Sequence, residues 1–165
     1  MNWITIFRNQ KPLDDHIEKL HPVQEGEERI PKKIVALQVE VGELANEVPQ
    51  AFKFWKADPQ MDREKTLFEL VDISHFAASI GLDFNYDINS HQAQPVRSNT
   101  VLDLISDVMT LSCWLRGKDD TFNMFPVLLN HIDALQKALG FTEEEVMDAY
   151  MTKNKINFDR QAEAY

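Results

Sequence analysis

Residues 37–56, LQVEVGELANEVPQAFKFWK, predict a helix with an apolar face and an acidic face. At about 100° per residue, four apolar side chains share one stripe, typical of the side a helix buries: Leu37, Val41, Leu44 and Val48. Three acids share a second stripe, roughly 60–120° away: Glu40, Glu43 and Glu47. Because these acids border the apolar stripe, they should lie at the edge of the core and face the neighbouring element.

A second helical pattern, LFELVDISHF, covers residues 67–76 and also carries a pair of acids. Its inward positions are Leu67, Leu70, Val71, Ser74 and, just beyond the segment, Ala78. Glu69 and Asp72 are three residues apart and lie on an adjoining face. A single helix with acids on one side is usually a solvated helix, so neither pattern alone indicates a site.

Together, the two helices would direct four carboxylates into one cleft: Glu40, Glu43, Glu69 and Asp72. Four uncompensated carboxylates at a partly buried seam are too costly to be tolerated without cations. Ligand sets made only of oxygen atoms suit Mg²⁺ or Mn²⁺. The two acidic helices therefore predict a metal site.

The composition predicts a single globular domain, residues 1–165, with 44% hydrophobic residues. A net charge of −10 argues against a nucleic-acid polymer as partner, because phosphate neutralisation needs clustered Lys and Arg. A small anionic ligand is compatible with this charge if a divalent cation bridges it to the acids.

Cysteine usage and hydropathy indicate the compartment. Cys113 is the only cysteine, so an internal disulfide is excluded and a reducing compartment is indicated. The sequence has no charged-then-apolar leader and no run of about 18 apolar residues. We therefore expect a cytoplasmic protein with no membrane association.

The segment before the first acidic helix carries two patterns. Residues 3–20 contain a short amphipathic helix with Pro12 near its start. Its polar members Gln10, Asp14 and Asp15 are interpreted from the pattern alone as a solvated edge. Residues 21–31 are a polar loop that ends at a proline, which the beginning of a helix tolerates.

The segment AFKFWK, residues 51–56, follows Pro49, which interrupts the register of the first acidic helix. A run of aromatic residues and lysines is most often core packing with solvated charges. The alternative is that Trp55 stacks on a base and Lys56 binds a phosphate beside the acidic cleft.

The remaining helices are predicted from their caps and periodicity. Asp62 should cap the second acidic helix, and residues 82–99 form an irregular excursion. Two helices are expected over residues 99–115 and 121–139. Three glycines should mark helix ends: Gly81, Gly117 and Gly140. A capping box beginning at Thr142 starts the last helix, and no strand-like alternation occurs, so the prediction is an all-α bundle of four to six helices.

The C-terminal segment, residues 150–165, is basic and rich in amides in an otherwise acidic chain. Lys153, Asn157 and either Arg160 or Gln161 share a helical face, and Asn154 adjoins it. One interpretation is a helix C-terminus that favours cations through its dipole. The other is a phosphate clamp opposite the metal cleft.

These motifs resemble a known family. EVGELANE at residues 40–47, FKFW at 52–55, ELVDISH at 69–75 and KNKINFDRQ at 153–161 are similar to the dimeric, all-α dUTP diphosphatases. That family belongs to the MazG-like nucleotide pyrophosphatase superfamily, whose signature is ExxE followed by ExxD on the next helix. The resemblance covers residues 10–165, and its second and last motifs narrow it to the dUTP-cleaving branch, frequent in bacteria and their phages.

The resemblance implies a Mg²⁺-dependent hydrolysis of dUTP to dUMP and pyrophosphate by a homodimer. Two or more Mg²⁺ ions, with Mn²⁺ as a possible substitute, would be held by Glu40, Glu43, Glu69 and Asp72. Glu40, Glu43 and Asp72 would be catalytic. Glu43 would either bridge two ions or orient the attacking water.

The resemblance also implies a set of substrate contacts. Phosphate oxygens would be neutralised by Lys56, Lys153 and Arg160, and uracil would be held by Gln10, Trp55 and Asn157. His75 would lie beside the deoxyribose, with Phe76 as a second candidate for excluding a 2′-hydroxyl. Tyr165 would close the end of the site. Asp14 stands near a position where some relatives carry an amide.

Two alternatives to this function remain open at the level of sequence. One is a MazG-like pyrophosphohydrolase that acts on another nucleotide such as dCTP, or on a broad set of nucleotides. The other is a non-enzymatic helical module that binds metal or a regulatory protein. The spacing of Asp72 and His75 is also found in di-iron bundles, but the second acid-x-x-His motif is missing.

Overall fold

The computed structural model describes residues 1–98, 100–115 and 123–162. In these three ranges the backbone forms six α-helices, two short 3₁₀ turns and no strand. The helices are α1 (Trp3–Leu20), α2 (Arg29–Glu47), α3 (Arg63–Asp83), α4 (Val101–Trp114), α5 (Phe125–Ala138) and α6 (Glu143–Ala162). The predicted all-α class is confirmed.

Helix α1 begins at Trp3, well before Pro12, so the expected short helix starting near the proline is wrong. The side chain of Asn2 accepts a hydrogen bond from the amide of Thr5 and caps the helix. Pro12 lies inside α1 but on its exposed side. The buried apolar residues of α1 hold the helix together across the proline: Trp3, Ile6, Phe7 and Leu13.

The four apolar residues predicted for the inner stripe are buried: Leu37, Val41 and Leu44 within α2, and Val48 directly after its end. The helix ends at Glu47 rather than continuing to residue 56. Pro49 lacks an amide hydrogen and disfavours helical geometry in the preceding residue, and a 3₁₀ turn, Pro49–Ala51, replaces the helix. The interpretation of residues 51–56 as core packing is wrong for two side chains, because Phe54 is 92% exposed and Trp55 is 63% exposed.

Helix α3 is the central helix and packs against α1, α2, α5 and α6. Asp62 caps it as predicted, by accepting a hydrogen bond from the amide of Lys65. Gly81 lies inside α3, not at its end, because the helix continues to Asp83. A Cβ atom at Gly81 would lie 2.5 Å from Cζ of Phe125 and 2.6 Å from Cζ of Phe7, so the glycine allows these rings to pack against the helix.

The later helices follow the predicted order with small shifts at their ends. Thr100 caps α4, and the expected helix end at Gly117 and start at Thr121 lie outside the described residues. Gly140, with φ of +76°, follows α5 as predicted. The capping box of α6 is confirmed: the amide of Glu145 donates to Thr142 Oγ1 at 3.1 Å, and the Thr142 amide donates to Glu145 Oε2 at 2.8 Å.

The helices α1, α2, α3 and α6 surround the region that carries the predicted site residues, while α4 and α5 pair on the other side of the α2–α3 pair. Across the described part of the chain, no helix combines the length and apolarity needed to span a membrane.

Candidate active site

A cleft of about 370 Å³ opens between α1, α2, α3 and α6. Its volume falls in the range of small-molecule sites. Among the residues predicted from the sequence, those that line this cleft include Gln10, Glu40, Asp72, His75, Lys153, Asn157 and Arg160. Residues more than 100 positions apart in the chain therefore face the same space.

Three carboxylates from the two acidic helices form a cluster beside this cleft. Glu40 and Glu43 of α2 and Glu69 of α3 each offer an oxygen atom, and these atoms lie within 4.8 Å of one another. Glu40 and Glu69 are partly buried, whereas Glu43 is exposed. Glu47, the third acid of the α2 stripe, is not a member of this cluster.

Burial and mutual repulsion make the cluster unfavourable as free anions. Burial, followed by the charges of Asp72 and Glu43, raises the pKa of Glu40 to about 7. Burial also raises the pKa of Glu69, and the charges of Asp72 and Glu43 add to this rise. Carboxylates with these pKa shifts are stabilised by a nearby cation. The all-oxygen donor set fits Mg²⁺ or Mn²⁺.

Asp72, the fourth predicted ligand, is paired with a lysine from the last helix. Lys153 Nζ lies 2.5 Å from Asp72 Oδ2, and both side chains are largely buried. Burial raises the pKa of Asp72, and the hydrogen bond from Lys153 and the charge of Arg160 oppose this rise. The basic face predicted for α6 therefore lies opposite the acids of α2 and α3.

The inner wall of the cleft contains a buried chain of hydrogen bonds that joins α1 to α3. Gln10 Nε2 donates to Asp14 Oδ1 at 2.7 Å, and Ser79 Oγ donates to Asp14 Oδ2 at 2.6 Å. Gln10 Oε1 lies 2.7 Å from His75 Nδ1. Gln10 is buried and Asp14 is largely buried, so the interpretation of both as a solvated edge is wrong. Only Asp15 of that group is exposed, where it pairs with Lys11.

Tyr150 of α6 completes this wall. Its ring stacks on His75, with centroids 4.2 Å apart and an interplanar angle of 19°. Its hydroxyl lies 3.1 Å from both Gln10 Oε1 and the carbonyl oxygen of Ile6. Burial, assisted by the charge of Lys153, lowers the pKa of His75 to about 3, so the imidazole is neutral near pH 7.

Two predicted contacts, Trp55 and Lys56, do not line the cleft, and a third lies outside the described residues. Trp55 and Lys56 lie on the exposed segment after the Pro49–Ala51 turn, and neither is among the lining residues. Tyr165 lies outside the described residues. Phe76, the predicted second wall residue, does line the cleft.

Sequence reasoning missed Asp14 and Ser79 as residues of the wall. A signal was present, since Gln10 and Asp14 continue the helical spacing of the buried residues Ile6 and Leu13. Polar residues on a stripe that is otherwise buried usually have a hydrogen-bonding partner on another element.

Comparison with known proteins identifies the family of this chain. No curated protein matches the chain. A family model described as dUTPase matches residues 2–165, which is nearly the whole sequence, and the all-helical fold is the fold of that family. The chain therefore belongs to the dUTPase family and is a hydrolase of phosphoric anhydrides that converts dUTP to dUMP and pyrophosphate.

Proposed function

We propose that this dUTPase holds two or more Mg²⁺ ions through Glu40, Glu43, Glu69 and Asp72, and that Mn²⁺ can replace Mg²⁺. The observation that carries the proposal is the cluster of three carboxylates within 4.8 Å, opposite Lys153 and Arg160. Asp72 supports the proposal because its charge contributes to the raised pKa values of Glu40 and Glu69.

When bound, the ions would polarise phosphoryl oxygens and lower the pKa of water, which supplies a nucleophile near neutral pH. Lys153 and Arg160 neutralise the triphosphate from the opposite side of the cleft. Lys153 already bonds to a carboxylate oxygen of Asp72, and a phosphate oxygen is an acceptor of the same kind. Glu43 is the most exposed of the clustered acids and is our candidate for orienting the attacking water.

The nucleoside would occupy the inner end of the cleft. Asn157 lines the cleft and can offer both a donor and an acceptor to the edge of uracil. His75 and Phe76 form a wall on which the deoxyribose would pack, and this packing would exclude a 2′-hydroxyl. A site that hydrogen-bonds uracil rejects cytosine because the wrong base leaves buried polar groups unpaired.

Trp55, Lys56 and Tyr165 remain proposed contacts. Trp55 would stack on the base, Lys56 would bind a phosphate, and Tyr165 would cover the nucleotide. Trp55 and Lys56 are exposed and outside the cleft lining, so they would reach the substrate after loop closure or from a second subunit.

We propose a homodimer of single-domain subunits, for which light scattering should give twice the mass of the 19.1 kDa chain. A mass of one chain at micromolar concentration would contradict the homodimer.

The cytoplasm is the compartment that we propose. Cys113 is free and exposed, and a reducing environment would keep its thiol unmodified.

The assay that tests the metal site is dUTP turnover in the presence of Mg²⁺. Glu43→Gln and Asp72→Asn should each lower kcat by about 100-fold or more, because each removes a ligand for the ions that stabilise the transition state. The helical content measured by circular dichroism should stay unchanged, since neither side chain packs in the core.

Glu47→Gln is the matched control, because Glu47 is on the same stripe of α2 but outside the cluster. Its kcat should stay within a few-fold of the unmutated enzyme. Equal losses in all three variants, or full activity of Glu43→Gln and Asp72→Asn, would contradict the assignment.

A further inference from the structure

We propose that Nε2 of His75 accepts a hydrogen bond from the nucleotide, and that Asp14, acting through Gln10, is the positioning residue that keeps Nε2 an acceptor. This inference deepens the proposed function, because it rests on the nucleotide occupying the cleft between α1, α3 and α6. The donor on the nucleotide is an N–H or O–H group.

The first step is the orientation of the Gln10 amide. Asp14 Oδ1 lies 2.7 Å from one end of this amide, and a carboxylate oxygen requires a donor at that distance. Asp14 is held in place by Ser79 Oγ, which donates to its other oxygen at 2.6 Å. Turning the amide over would put Gln10 Oε1 against Asp14 Oδ1, two acceptors in direct contact. The amide nitrogen of Gln10 therefore faces Asp14, and its oxygen faces His75.

The second step is the tautomer of His75. Gln10 Oε1 is 2.7 Å from His75 Nδ1, and a carbonyl oxygen can only accept, so Nδ1 carries the hydrogen. The ring is neutral near pH 7 because burial lowers its pKa. A neutral imidazole has one hydrogen, so Nε2 has none and presents a lone pair. The stacked ring of Tyr150, 4.2 Å away, opposes rotation of the imidazole.

The third step is the environment of Nε2. His75 is 5% exposed, and its Nε2 atom is buried. Among the described residues, Nε2 has no hydrogen-bonding partner. His75 lines the cleft, together with Asn157 and Phe76. A buried acceptor without a partner is unfavourable, and a donor from a bound ligand would satisfy it.

The nucleotide has two donors of the required kind. Uracil carries a hydrogen on N3, and the deoxyribose carries a 3′-hydroxyl group. Cytosine has an unprotonated N3, which would meet the lone pair of Nε2 with another lone pair. An acceptor at His75 therefore contributes to base selection if it binds N3–H, and to sugar recognition if it binds the 3′-hydroxyl.

The tautomer is measured by ¹⁵N NMR of the histidine rings in the ligand-free, unmutated protein at pH 7. The signal of His75 is assigned by its loss in His75→Phe. We expect a protonated Nδ1 and an unprotonated Nε2. A protonated Nε2 would overturn the proposal, and this result does not depend on any enzymatic activity.

The donor is identified by comparing dUTP with N3-methyl-dUTP and with 3′-deoxy-dUTP. In the unmutated enzyme, removing the donor that binds Nε2 should lower kcat/KM by about 5–150-fold. His75→Phe keeps the stacking on Tyr150 but has no acceptor. In this variant, kcat/KM for the same analogue should be almost equal to kcat/KM for dUTP. The analogue with a penalty in the unmutated enzyme identifies the donor.

Equal penalties in the unmutated enzyme and in His75→Phe, or no penalty for either analogue, would overturn the proposal. If the unmutated enzyme fails to hydrolyse dUTP with Mg²⁺, the proposed function fails instead, and the NMR measurement still decides the tautomer.

The positioning role is tested at Asp14. Asp14→Ala leaves the Gln10 amide free to turn, so a mixture of His75 tautomers and a raised KM for dUTP are expected. Asp14→Asn should restore the unmutated tautomer and KM, because its carbonyl can still accept from Gln10 Nε2. Asp15→Asn, an exposed neighbour, is the control that should change neither. An unchanged His75 tautomer in folded Asp14→Ala would overturn the role of Asp14.

Discussion

Glu40 illustrates how burial changes the chemistry of a single acid in this cleft. Its folded pKa of about 7 lies above its ordinary value of 4.5, because burial and the neighbouring acids disfavour the anion. Between these two pH values the folded state holds a proton that the unfolded state has released. The stabilising contribution of the protonated group is therefore fully present below about pH 4.5 and is lost as the pH rises through about 7.

The first expectation concerns this acid in the metal-free protein. Glu40→Gln removes the titration, so the variant should gain stability relative to the unmutated protein as the pH is raised from 5 to 8. The gain should be on the order of 1–2 kcal/mol, after allowance for solvent screening at a half-buried site. Urea unfolding with a chelator at both pH values measures it.

The test compares the unfolding free energies of Glu40→Gln and the unmutated protein, because His75 changes stability with pH in the opposite direction to Glu40. Its folded pKa of about 3 lies below the ordinary value of 6.5, so its contribution is lost as the pH falls from about 6.5 to 3. A gap between Glu40→Gln and the unmutated protein that stays constant with pH would contradict the raised pKa of Glu40.

Helix α3 shows how one element supports both the core and the site. It carries Glu69, Asp72 and His75 on the side of the cleft, and its Gly81 lets the rings of Phe7 and Phe125 pack against its backbone. Because α3 packs against four neighbouring helices, a shift of α3 along its axis would disturb its packing with all of them. Its register along α2 therefore fixes the spacing of the acids.

The second expectation uses two glycines in two helices. Gly81→Ala should destabilise the protein by about 1–3 kcal/mol, because the new Cβ would lie 2.5 Å from the Phe125 ring. Gly42→Ala in α2 should instead be neutral or stabilising by up to about 1 kcal/mol, since its Cβ would meet only Met109 Cε at 3.9 Å. Thermal unfolding of the two variants under identical conditions compares them. Equal stability would contradict the close packing at Gly81.

The whole molecule combines an acidic balance with a basic patch on the C-terminal half of its last helix. Its net charge is −10, yet Lys153 and Arg160 of α6 line the same cleft as Glu40 and Asp72. Repulsion among the acids is distributed over α2 and α3, so a cation bound between them would stabilise the pair of helices as a unit.

The third expectation is a metal-dependent melting temperature. Mg²⁺ at about 100 times its Kd should raise the Tm by about 5–10 °C relative to chelator, because it binds only the folded state. The rise should be much smaller in Asp72→Asn and should persist in Glu47→Gln. No change with Mg²⁺ in either the free or the nucleotide-bound protein would contradict the shared metal site.

Local periodicity was sufficient to predict the buried stripe of α2, the capping of α3 and α6, and the convergence of Glu40, Glu43 and Glu69. It did not predict the ends of α2, which lie at Arg29 and Glu47. The predicted features repeat within one or two helical turns, so a single sequence displays them. The wall of the cleft could not be predicted in the same way. The partners His75 and Ser79 lie 65 residues beyond Gln10 and Asp14, and no local pattern relates such distant positions.

Two further differences between prediction and structure lie next to prolines. A proline is expected to interrupt a helix at either position, but its effect depends on the surrounding residues. Pro12 has buried apolar residues on both sides and lies inside α1. Pro49 lies two residues after the end of α2, and the chain beyond it is exposed at Phe54.

The ion pair between Lys153 and Asp72 also makes the last helix responsive to ligand. In the free protein this contact, at 2.5 Å, fastens α6 to α3. A triphosphate that takes over Lys153 and Arg160 while the acids engage its cations would join the two helices through the nucleotide instead of through one side-chain contact. We therefore expect amide hydrogen exchange across α6 to slow when a non-hydrolysable dUTP analogue binds with Mg²⁺, and exchange in α4 to stay unchanged. Bound substrate would then hold α6 against α3, and product release would coincide with the loosening of α6.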